Sequence, residues 1–382
     1  MVVATYTISL ATADGANPAS WTDITSRVKS VQITRGRDDV LAQVQTGTAQ
    51  IAVTNDDGRF SPGNTGSTLY PHVATMRAIK VVATYSATAY PLFFGYIQTI
   101  TPNLNPSQRD CTIALADGFA WLDLATTTPT YTSAASGTSI GTALDSASWP
   151  AALRSLAAGQ STFTPSYTDQ SVLAQVQGIG IDNEGGLVYM DGQGRFVFQD
   201  RHTRLKSPYL TSNGTFTDAN GINDLAATRT VSDIANEVKV THSTGSVTAS
   251  DATSITAKGS RRLNINATFI GASEASDRAS WTLSIKSRET DRPSLRVVAN
   301  ASGTLMAQCL GRELSDRVTI TDSSTGGSSI NANYSIERIE HAIDNGGTLH
   351  VTTWQLSPIS GSVSSFWTID MGALDTTTRL AY

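Results

Sequence analysis

Paired carboxylates are the groups in this chain that most suggest metal binding. Asp56 and Asp57 are adjacent in the run Asn55-Asp56-Asp57-Gly58, directly after an alternating apolar stretch. A Ca²⁺ loop needs about six oxygen ligands at fixed offsets, including a distal Glu. Here Arg59 follows and would compete for the carboxylates, whereas Asn, Asp and Gly favour tight turns. We therefore predict a turn at this position rather than a metal site.

A second set of carboxylates could serve acid–base chemistry. Glycoside hydrolysis needs two carboxylates in one cleft, and the candidates are Glu184, Asp191 and Asp200. Asp191 also opens Asp191-Gly192-Gln193-Gly194, which looks like a phosphate loop but lacks the Lys-Ser/Thr ending and leads into a strand. That run is typical of a hairpin turn. The three carboxylates have no recognisable catalytic context.

The histidines are spread along the chain, and no two lie three to five residues apart. They are His72, His202, His242, His341 and His350. A zinc site would have to be assembled from distant segments. A Ser-His-Asp triad stays open, because its order along the chain differs between folds, but we expect no Gly-x-Ser-x-Gly elbow on a strand-to-helix turn. The sequence predicts no catalytic, cofactor-binding or metal-binding residue, and we expect a chain that is not an enzyme.

Cysteine and tryptophan usage favours a structural protein. Only Cys111 and Cys309 occur, which excludes a disulfide framework and metal sites built on cysteine pairs. They are expected to be small buried groups in a protein folded in a reducing cytoplasm. The tryptophans fall one to a segment, as core anchors do rather than a sugar-stacking platform. They are Trp21, Trp121, Trp149, Trp281, Trp354 and Trp367.

Composition favours β structure and disfavours tight binding of duplex nucleic acid. Of the 382 residues, 40% are hydrophobic and only 15% are charged, with a net charge of −5. Abundant β-branched residues suit a pleated sheet, and no block of Lys or Arg is present to bind phosphates. Low charge also suits surfaces covered by neighbouring chains. We expect neither a signal peptide nor a transmembrane helix, because the N-terminus has no basic lead and no apolar run reaches about 18 residues.

Turn signals divide the chain into two β-rich blocks around a different middle. Residues 1–125 are predicted to form at least six short strands in a barrel or sandwich. Among them, Ala49, Ile51 and Val53 alternate before the Asp-Gly turn, and a hairpin is predicted around Ser86-Ala87-Thr88.

Residues 126–220 are predicted to form a smaller α+β insert. A polar linker occupies 126–133, helices are predicted over 139–148 and 169–183, and a hairpin over 186–198. Thr168 or Asp169 is the expected N-cap of the second helix. Residues 221–360 return to strands with one long helix at about 272–288, and 361–382 form a tail. The predicted fold class is therefore mainly β with a smaller α+β insert.

Several segments, taken in order, resemble the minor tail proteins, or tail-tip hubs, of siphophages that infect Gram-positive and actinobacterial hosts. The resemblance spans most of the chain but not the middle block or the loop 243–262. The segments are Trp21-Thr22-Asp23-Ile24-Thr25, Gly36-Arg37, Thr54-Asn55-Asp56-Asp57-Gly58-Arg59-Phe60-Ser61-Pro62, Phe94-Gly95-Tyr96-Ile97, Asp233-Ile234-Ala235-Asn236-Glu237-Val238-Lys239-Val240, Leu314-Ser315-Asp316-Arg317-Val318-Thr319-Ile320, Tyr334-Ser335-Ile336-Glu337-Arg338-Ile339-Glu340-His341, Phe366-Trp367-Thr368-Ile369-Asp370 and Leu374-Asp375-Thr376-Thr377-Thr378-Arg379-Leu380.

The resemblance implies a fold similar to the baseplate hub of contractile phages, with two tube-type β-barrel domains flanking an inserted domain. It places the start of the second tube domain at about Asp233–Val240. It implies a homotrimer whose six barrels match a sixfold tail tube and that closes the tube at the virion tail tip. The implied partners are a distal tail or tail tube protein above, a fibre or spike below and the tape-measure protein in the lumen. DNA would be present only in transit during ejection, and the chain would be made in the bacterial host cytoplasm.

Two other functions remain open from the sequence. A distal tail protein would form a hexameric ring and usually carries one tube domain, so the second β block favours the hub. A tail-associated cell-wall hydrolase or receptor-binding module would need a carboxylate or metal cleft in residues 126–220. Copy number separates the first alternative from the hub, and catalytic turnover separates the second.

Overall fold

A computed structural model of the chain describes residues 2–103, 105, 109–287, 291–323, 330–359, 366–367 and 379–380. Its largest element is a 13-stranded sheet, which confirms the predicted mainly β fold class. The strands are β1 Thr5–Ala11, β2 Trp21–Asp23, β3 Val28–Gly36, β4 Gln45–Thr54, β5 Ala78–Tyr85, β6 Thr88–Pro102, β7 Asp110–Ala116, β8 Thr126–Thr127, β9 Ala134–Ala135, β10 Arg154–Leu156, β11 Thr162–Phe163, β12 Gln170–Ser171, β13 Leu187–Met190, β14 Phe196–Gln199, β15 Thr215–Thr217, β16 Asp224–Thr228, β17 Glu237–His242, β18 Gly245–Ser250, β19 Arg262–Asn266, β20 Arg292–Val298, β21 Arg317–Asp322, β22 Ile330–Asp344, β23 Leu349–Pro358, β24 Phe366–Trp367 and β25 Arg379–Leu380. The helices are α1 Gly118–Leu124, α2 Ser136–Ser146, α3 Val172–Gln177, α4 Ala252–Lys258, α5 Ala272–Lys286 and α6 Gly303–Gly311.

The first β unit consists of β1 to β7, with the spatial order β3-β4-β7-β6-β5-β1-β2. In β4, the predicted alternation is confirmed: Ala49, Ile51 and Val53 are buried, while the residues between them face outward. The long strand β6 changes partner along its length, because residues 88–96 pair with β5 and residues 96–102 pair with β7. The predicted hairpin also forms, with Ser86 and Ala87 at positive φ between β5 and β6.

The second β unit repeats the first strand by strand. Its order β16-β20-β23-β22-β21-β15 matches β3-β4-β7-β6-β5-β1, and in both units the strands follow one another along the chain in the same sequence. The long strands β6 and β22 also share a bulge, between Ile97 and Thr99 in one and between Ile336 and Arg338 in the other. One pairing differs, since β15 is parallel to β21 whereas β1 is antiparallel to β5. The chain therefore contains two copies of one six-strand arrangement.

A direct strand pairing joins the two units into one sheet. Strand β3 of the first unit is antiparallel to β22 of the second, with seven residue pairs running from Gly36↔Arg338 to Ser30↔Asp344. Backbone hydrogen bonding between edges is strong and needs no particular side chain. We call this pairing the internal seam.

The insert between the units contains α1 to α3, several short strands and a hairpin. The predicted hairpin is confirmed, with Met190 opposite Phe196 in the antiparallel pair β13–β14. The predicted N-cap of the second helix is wrong. Ser171 caps α3 by accepting the Ala174 N–H at 3.2 Å, whereas Asp169 lies in a turn at φ +49°. The helix then continues as a π-helical turn over Gly178–Asn183. β15 lies within the range 126–220 that was predicted for the insert, yet it pairs with β21 of the second unit.

The segment Asp233–Val240 is not the start of the second unit, in contrast to the expectation from resemblance, because β15 and β16 precede it. Its second half belongs to strand β17, which pairs with β18 and β19 in a separate three-stranded sheet. Val238 and Val240 are fully buried, because this small sheet packs against α5. The whole excursion is inserted between β16 and β20, at the place where the first unit has only the connection from β3 to β4.

The long helix of the second unit lies close to its predicted position. The helix expected at about 272–288 is observed as Ala272–Lys286, and a shorter helix follows at Gly303–Gly311. The tail at 361–382 lies outside the described residues, apart from the short strands β24 and β25. No helix among the described residues is both long and apolar enough to cross a membrane.

Gly36 provides a test of the internal seam. Its φ is +112°, and a Cβ atom there would lie 2.2 Å from the backbone oxygen of Glu337 across the seam. We expect Gly36→Ala to lower the free energy of unfolding by about 3 kcal/mol, from backbone strain and overpacking together. Gly15→Ala is the matched control, since Gly15 has φ +101° and nothing within 4 Å of its Cβ position. Urea unfolding of both variants measures the difference, and equal losses would contradict a close seam.

Candidate functional site

A buried carboxylate lies at the bulge of β22, where three parts of the chain meet. Glu337 is 2% exposed and pairs with Arg37 from the first unit, whose Nε lies 2.8 Å from its Oε2. Arg204 from the insert donates to both of its oxygens, and Ser357 Oγ donates to Oε1 at 2.6 Å. One carboxylate therefore connects the first unit, the insert and the second unit.

The charge of this carboxylate is strongly favoured. Burial raises the pKa of the Glu337 carboxyl, but the guanidinium groups of Arg204 and Arg37 outweigh that effect and lower the pKa to about 2. Charge-assisted hydrogen bonds of this kind are short and strong. The backbone supports the pairing, because Arg37 N–H also donates to the Glu337 carbonyl oxygen at 2.8 Å.

A second buried arginine makes an equivalent bridge nearby. Arg35, on β3, is 3% exposed and donates from Nη1 to Glu313 Oε1 at 2.8 Å and to the Met190 carbonyl at 3.3 Å. Glu313 in turn accepts the N–H of Gly192 at 3.2 Å, in the turn of the insert hairpin. Two buried arginines of the first unit thus bind carboxylates of the second unit beside the internal seam, and Arg35 also bonds to the insert.

Two histidines on neighbouring strands, which the sequence spacing did not pair, meet in the core. His341 Nδ1 lies 3.0 Å from His350 Nε2, and Tyr6 Oη lies 2.7 Å from His350 Nδ1. The sequence analysis missed the pair because it searched only for close spacing. The signal was strand parity: β22 and β23 are antiparallel, so His341↔Thr352 and Ile343↔His350 place both rings on the inner face.

These histidines are neutral at neutral pH. Burial lowers the pKa of His350 to about 4, and burial together with His350 and Arg35 lowers the pKa of His341 well below its usual range. Neutral imidazoles could bind a metal, but the described residues contain no group of three or more His, Cys, Asp or Glu side chains placed to hold one. The pair is a hydrogen-bonded part of the core.

The acidic pair at the end of β4 lies in a turn. Gly58 has φ +68°, and Asn55 accepts the Phe60 N–H at 2.8 Å. The Asp57 carboxylate is engaged by Arg27 at 2.9 Å and by Arg59 at 3.4 Å. Arg59 therefore competes for this carboxylate, as the sequence analysis expected.

The carboxylates of the insert are occupied by hydrogen bonds. Glu184 is fully buried and accepts from Gln160 N at 3.0 Å, Ser161 N at 2.8 Å and Ser136 Oγ at 2.8 Å. Asp200 accepts from Gln160 Nε2 at 2.8 Å, so Gln160 connects the two carboxylates. A general acid needs a raised pKa. Burial raises the pKa of Asp200, but hydrogen bonds and nearby positive charges together outweigh it and lower the pKa. The third candidate, Asp191, closes its hairpin by accepting from Gln193, Arg195 and the Arg195 side chain.

The expectation that the chain has no Gly-x-Ser-x-Gly run is wrong at the level of sequence. Gly137-Thr138-Ser139-Ile140-Gly141 matches Gly-x-Ser-x-Gly, the motif that places a hydrolase nucleophile on a strained turn between a strand and a helix. Here Ser139 lies within helix α2 and is 2% exposed. The helix is packed so closely that a Cβ on Gly137 would lie 1.9 Å from the Ala157 carbonyl oxygen. Gly137 serves close packing, whereas a Cβ on Gly141 would lie at an ordinary 3.8 Å from Leu156. The serine is buried in the helix.

A cavity of about 360 Å³ lies where the insert, α5 and the second unit meet. Several of its walls are joined by ion pairs. Lys286 Nζ lies 2.6 Å from Asp39 Oδ1, and Arg292 Nη2 lies 2.6 Å from Asp233 Oδ1. Its lining charges are therefore engaged in holding α5 and β20 to the rest of the molecule.

On the outward face of the shared sheet, the side chains at the centre of the β3–β4 pair are uncharged. Gln32 lies opposite Gln50, and Thr34 lies opposite Thr48, with all four exposed. The charged residues on this face of β22 are Arg338, Glu340 and Asp344, and the first two form an ion pair at 2.7 Å. The opposite face is the core.

No protein-family model and no curated protein sequence matches the chain. Its fold is nevertheless similar to that of phage tail proteins of known structure, which confirms the predicted resemblance at the level of the fold. A tail protein from Neisseria meningitidis has a TM-score of 0.61 at 10% identity and covers 92% of this chain and 97% of its own. The 43 kDa tail protein of prophage MuSo2 from Shewanella oneidensis has a TM-score of 0.60 at 12% identity, covering 93% and 97%. The prophage tail protein gp18 from Listeria monocytogenes has a TM-score of 0.51 at 8% identity, covering 93% and 95%.

The Glu337 cluster can be tested by removing its charge. Glu337→Gln keeps the volume of the side chain but leaves Arg37 and Arg204 buried without a counter-charge. We expect a loss of about 3 kcal/mol in the free energy of unfolding. Glu340→Gln, three residues along the same strand in a part-exposed ion pair, should cost at most about 0.5 kcal/mol. Chemical denaturation at pH 7 measures both, and a loss at Glu337 as small as the control would show that the cluster does not stabilise the fold.

The histidine pair predicts a pH dependence. The unfolded chain protonates His350 near its usual pKa of about 6.5, whereas the folded chain does so only near about 4. The contribution of neutral His350 to the free energy of unfolding is therefore fully present above pH 6.5. It falls as the pH drops towards 4, by at most about 1.4 kcal/mol per pH unit for each histidine. His350→Gln should flatten this slope in urea unfolding between pH 7 and 4.5. An equally steep slope in His350→Gln would assign the effect to other groups.

Proposed function

We propose that this chain is a structural component of a bacteriophage tail and acts as the hub at the tail tip. The single observation that carries the proposal is the doubled β unit, in a fold similar to that of phage tail proteins. Both units are joined edge to edge in one sheet, so a single chain already presents two neighbouring segments of a wall. The hub would be located in the virion after synthesis in the bacterial host.

The doubled unit supports a change of symmetry at the tip. Three chains would present six similar β units, and a ring of six matches a sixfold tail tube above it. Each chain has one copy of every element outside the repeated units, such as the insert. Three chains therefore present three copies of these elements, which suits a threefold fibre or spike below. Closed rings with cyclic symmetry leave no unpaired edge. We propose a homotrimer on this basis, with a tail tube or distal tail protein as its upper neighbour.

The outward face of the shared sheet supports a role as a conduit wall. Gln32, Thr34, Thr48 and Gln50 are short and uncharged, and DNA phosphates bind tightly only where Lys and Arg cluster. A wall of this composition lets DNA and the tape-measure protein pass without being retained. We assign this face to the lumen.

We propose that the role does not include catalysis. A cell-wall hydrolase would need a free carboxylate pair in the insert, and Glu184 and Asp200 accept several hydrogen bonds each instead. A serine hydrolase would need Ser139 at the surface of a cleft, and Ser139 is buried in α2.

A distal tail protein is the alternative within the same class. It would form a ring of six copies, each contributing one tube domain. The presence of two β units in one chain favours three copies, since six chains would present twelve units.

Native mass spectrometry and electron microscopy of the purified chain test the proposal. We expect an assembly of three copies of the 40.3 kDa chain, seen as a ring with six lobes around a channel. Six copies would instead indicate the distal tail protein. A chain that stays monomeric at all concentrations, or that releases fragments from host cell walls, would contradict the hub.

A further inference from the structure

The internal repeat identifies a second seam, between chains, and its register. Each unit has one strand edge that the internal seam uses: β3 in the first unit and β22 in the second. Their counterparts are β16 in the second unit and residues 97–102 of β6 in the first. We propose that these two edges pair in antiparallel fashion between neighbouring copies of the chain. The proposal rests on the ring of identical chains proposed above and states which strands close it.

Both edges lack a strand partner within the described part of the chain. β16 is the end of the sheet and pairs only with β20. The outer half of β6 pairs with β7 on one side, while β5 pairs only with its inner half and leaves the other side open. The backbone direction agrees: Asn103 donates its N–H to Asp110 O of β7 at 2.7 Å. Alternation along the strand therefore points the polar groups of Pro102 to the open side.

The register follows from matching the two units at their shared bulge. Ile97 and Thr99 correspond to Ile336 and Arg338, because they flank the same bulge. Counting on from Arg338, Thr101 corresponds to Glu340.

The second edge is matched through the neighbouring strands. Gln50 lies opposite a residue of β7, and Ser294 lies opposite the corresponding residue of β23. On their other side, Gln50 pairs with Gln32, and Ser294 pairs with Ala226. Ala226 therefore corresponds to Gln32. Counting two residues on, Thr228 corresponds to Thr34.

The internal seam then gives the pairs between chains directly. Glu340 lies opposite Thr34, and Ala342 lies opposite Gln32. By correspondence, Thr101 lies opposite Thr228 of a second copy, and Asn103 lies opposite Ala226 of that copy. Pro102 falls between them, opposite Ala227. Since Pro102 has no N–H, that pair has one hydrogen bond fewer than its internal counterpart.

Exposure agrees with a missing neighbour at both edges. Ile339 and His341, on the covered edge of β22, are 0% and 3% exposed. Their counterparts Ile100 and Pro102 are partly exposed. Likewise Ile33 is 1% exposed, whereas its counterpart Ala227 is exposed.

The chemistry of the two edges also suits a partner of the same kind. Free edges are usually protected by charged side chains, above all Lys. Here Thr101, Pro102 and Asn103 face Ala226, Ala227 and Thr228, so all six are small or uncharged. Where the internal seam has the buried Glu337, the outer one has Gln98, which is exposed and uncharged. In the same register Arg229 takes the place of Arg35, so the outer seam would bring together an arginine but no carboxylate equivalent to Glu337.

Engineered disulfides test the register in the full chain. In the double variant Thr101→Cys with Thr228→Cys, the two positions lie seven strand-to-strand steps apart within one chain, at about 4.8 Å a step. A disulfide between them must therefore join two copies, and directly opposite residues of an antiparallel pair meet its geometry. We expect a ladder of cross-linked species on non-reducing gels that ends at the ring. The native Cys111 and Cys309 are buried and do not interfere.

Two controls frame the result. Thr101→Cys with Asp224→Cys is four residues out of register, about 13 Å along the strand, and should cross-link at least tenfold less. Thr34→Cys with Glu340→Cys places cysteines at the corresponding internal pair and should close within a single chain, which shows that the geometry supports the bond.

The outcomes separate this proposal from the hub. If native mass spectrometry shows a ring but the Thr101–Thr228 variant stays monomeric on the gel while the internal control closes, the seam is wrong and the hub stands. Equal cross-linking of the out-of-register control would also overturn the register. If no variant and no wild-type chain assembles, both proposals fall.

Discussion

The strand pairing between β3 and β22, with Glu337 at its bulge, is the constraint on which the rest of the structure depends. Backbone hydrogen bonds set the distance between the units, and the buried ion pairs set their register. A carboxylate taken out of water is costly unless it is fully paired, so Arg37 and Arg204 must both be present for Glu337 to be buried. Arg204 belongs to the insert, and its position depends on the connection after β14. The insert therefore contributes directly to the contact between the two units.

The same bulge has a different chemistry in each unit. In β22 it carries Glu337, and in β6 it carries Gln98, at the corresponding place. Glu337 lies where the partner strand belongs to the same chain, so the same chain also provides its counter-charges. The neutral version lies at the open edge, where a buried charge would need its partner to arrive from another molecule. In the proposed assembly, the junction within one chain and the junction between copies thus differ in the charge at this bulge.

Local patterns were enough to predict the elements, but not which elements pair. The alternation of Ala49, Ile51 and Val53 and the helix at Ala272–Lys286 both follow from side-chain spacing within one segment. The position of β17 did not, because its alternating Val238 and Val240 suit any sheet and only the packing of α5 selects the small one. The meeting of His341 with His350 and the threefold contact at Glu337 are long-range consequences of register. The buried arginines carried a weak signal, since Gly36-Arg37 was singled out only by resemblance. Ser139 shows the reverse case, in which a motif is present but helix α2 buries it.

If the sheet lines a conduit, as proposed, its two faces must meet opposite demands. The inner face must be apolar to hold the fold together, and Ile33, Ile51 and Ile113 meet that demand. The outward face must be wet yet nearly uncharged, because a cationic face retains phosphates and a strongly anionic one repels them. Alternation along a strand allows both at once, since neighbouring residues point to opposite faces. The edges must be plain backbone, because pairing between copies depends on hydrogen bonds that any residue with an N–H can make. In the described structure, the buried charges of Arg35, Arg37 and Glu337 lie where the two units are joined.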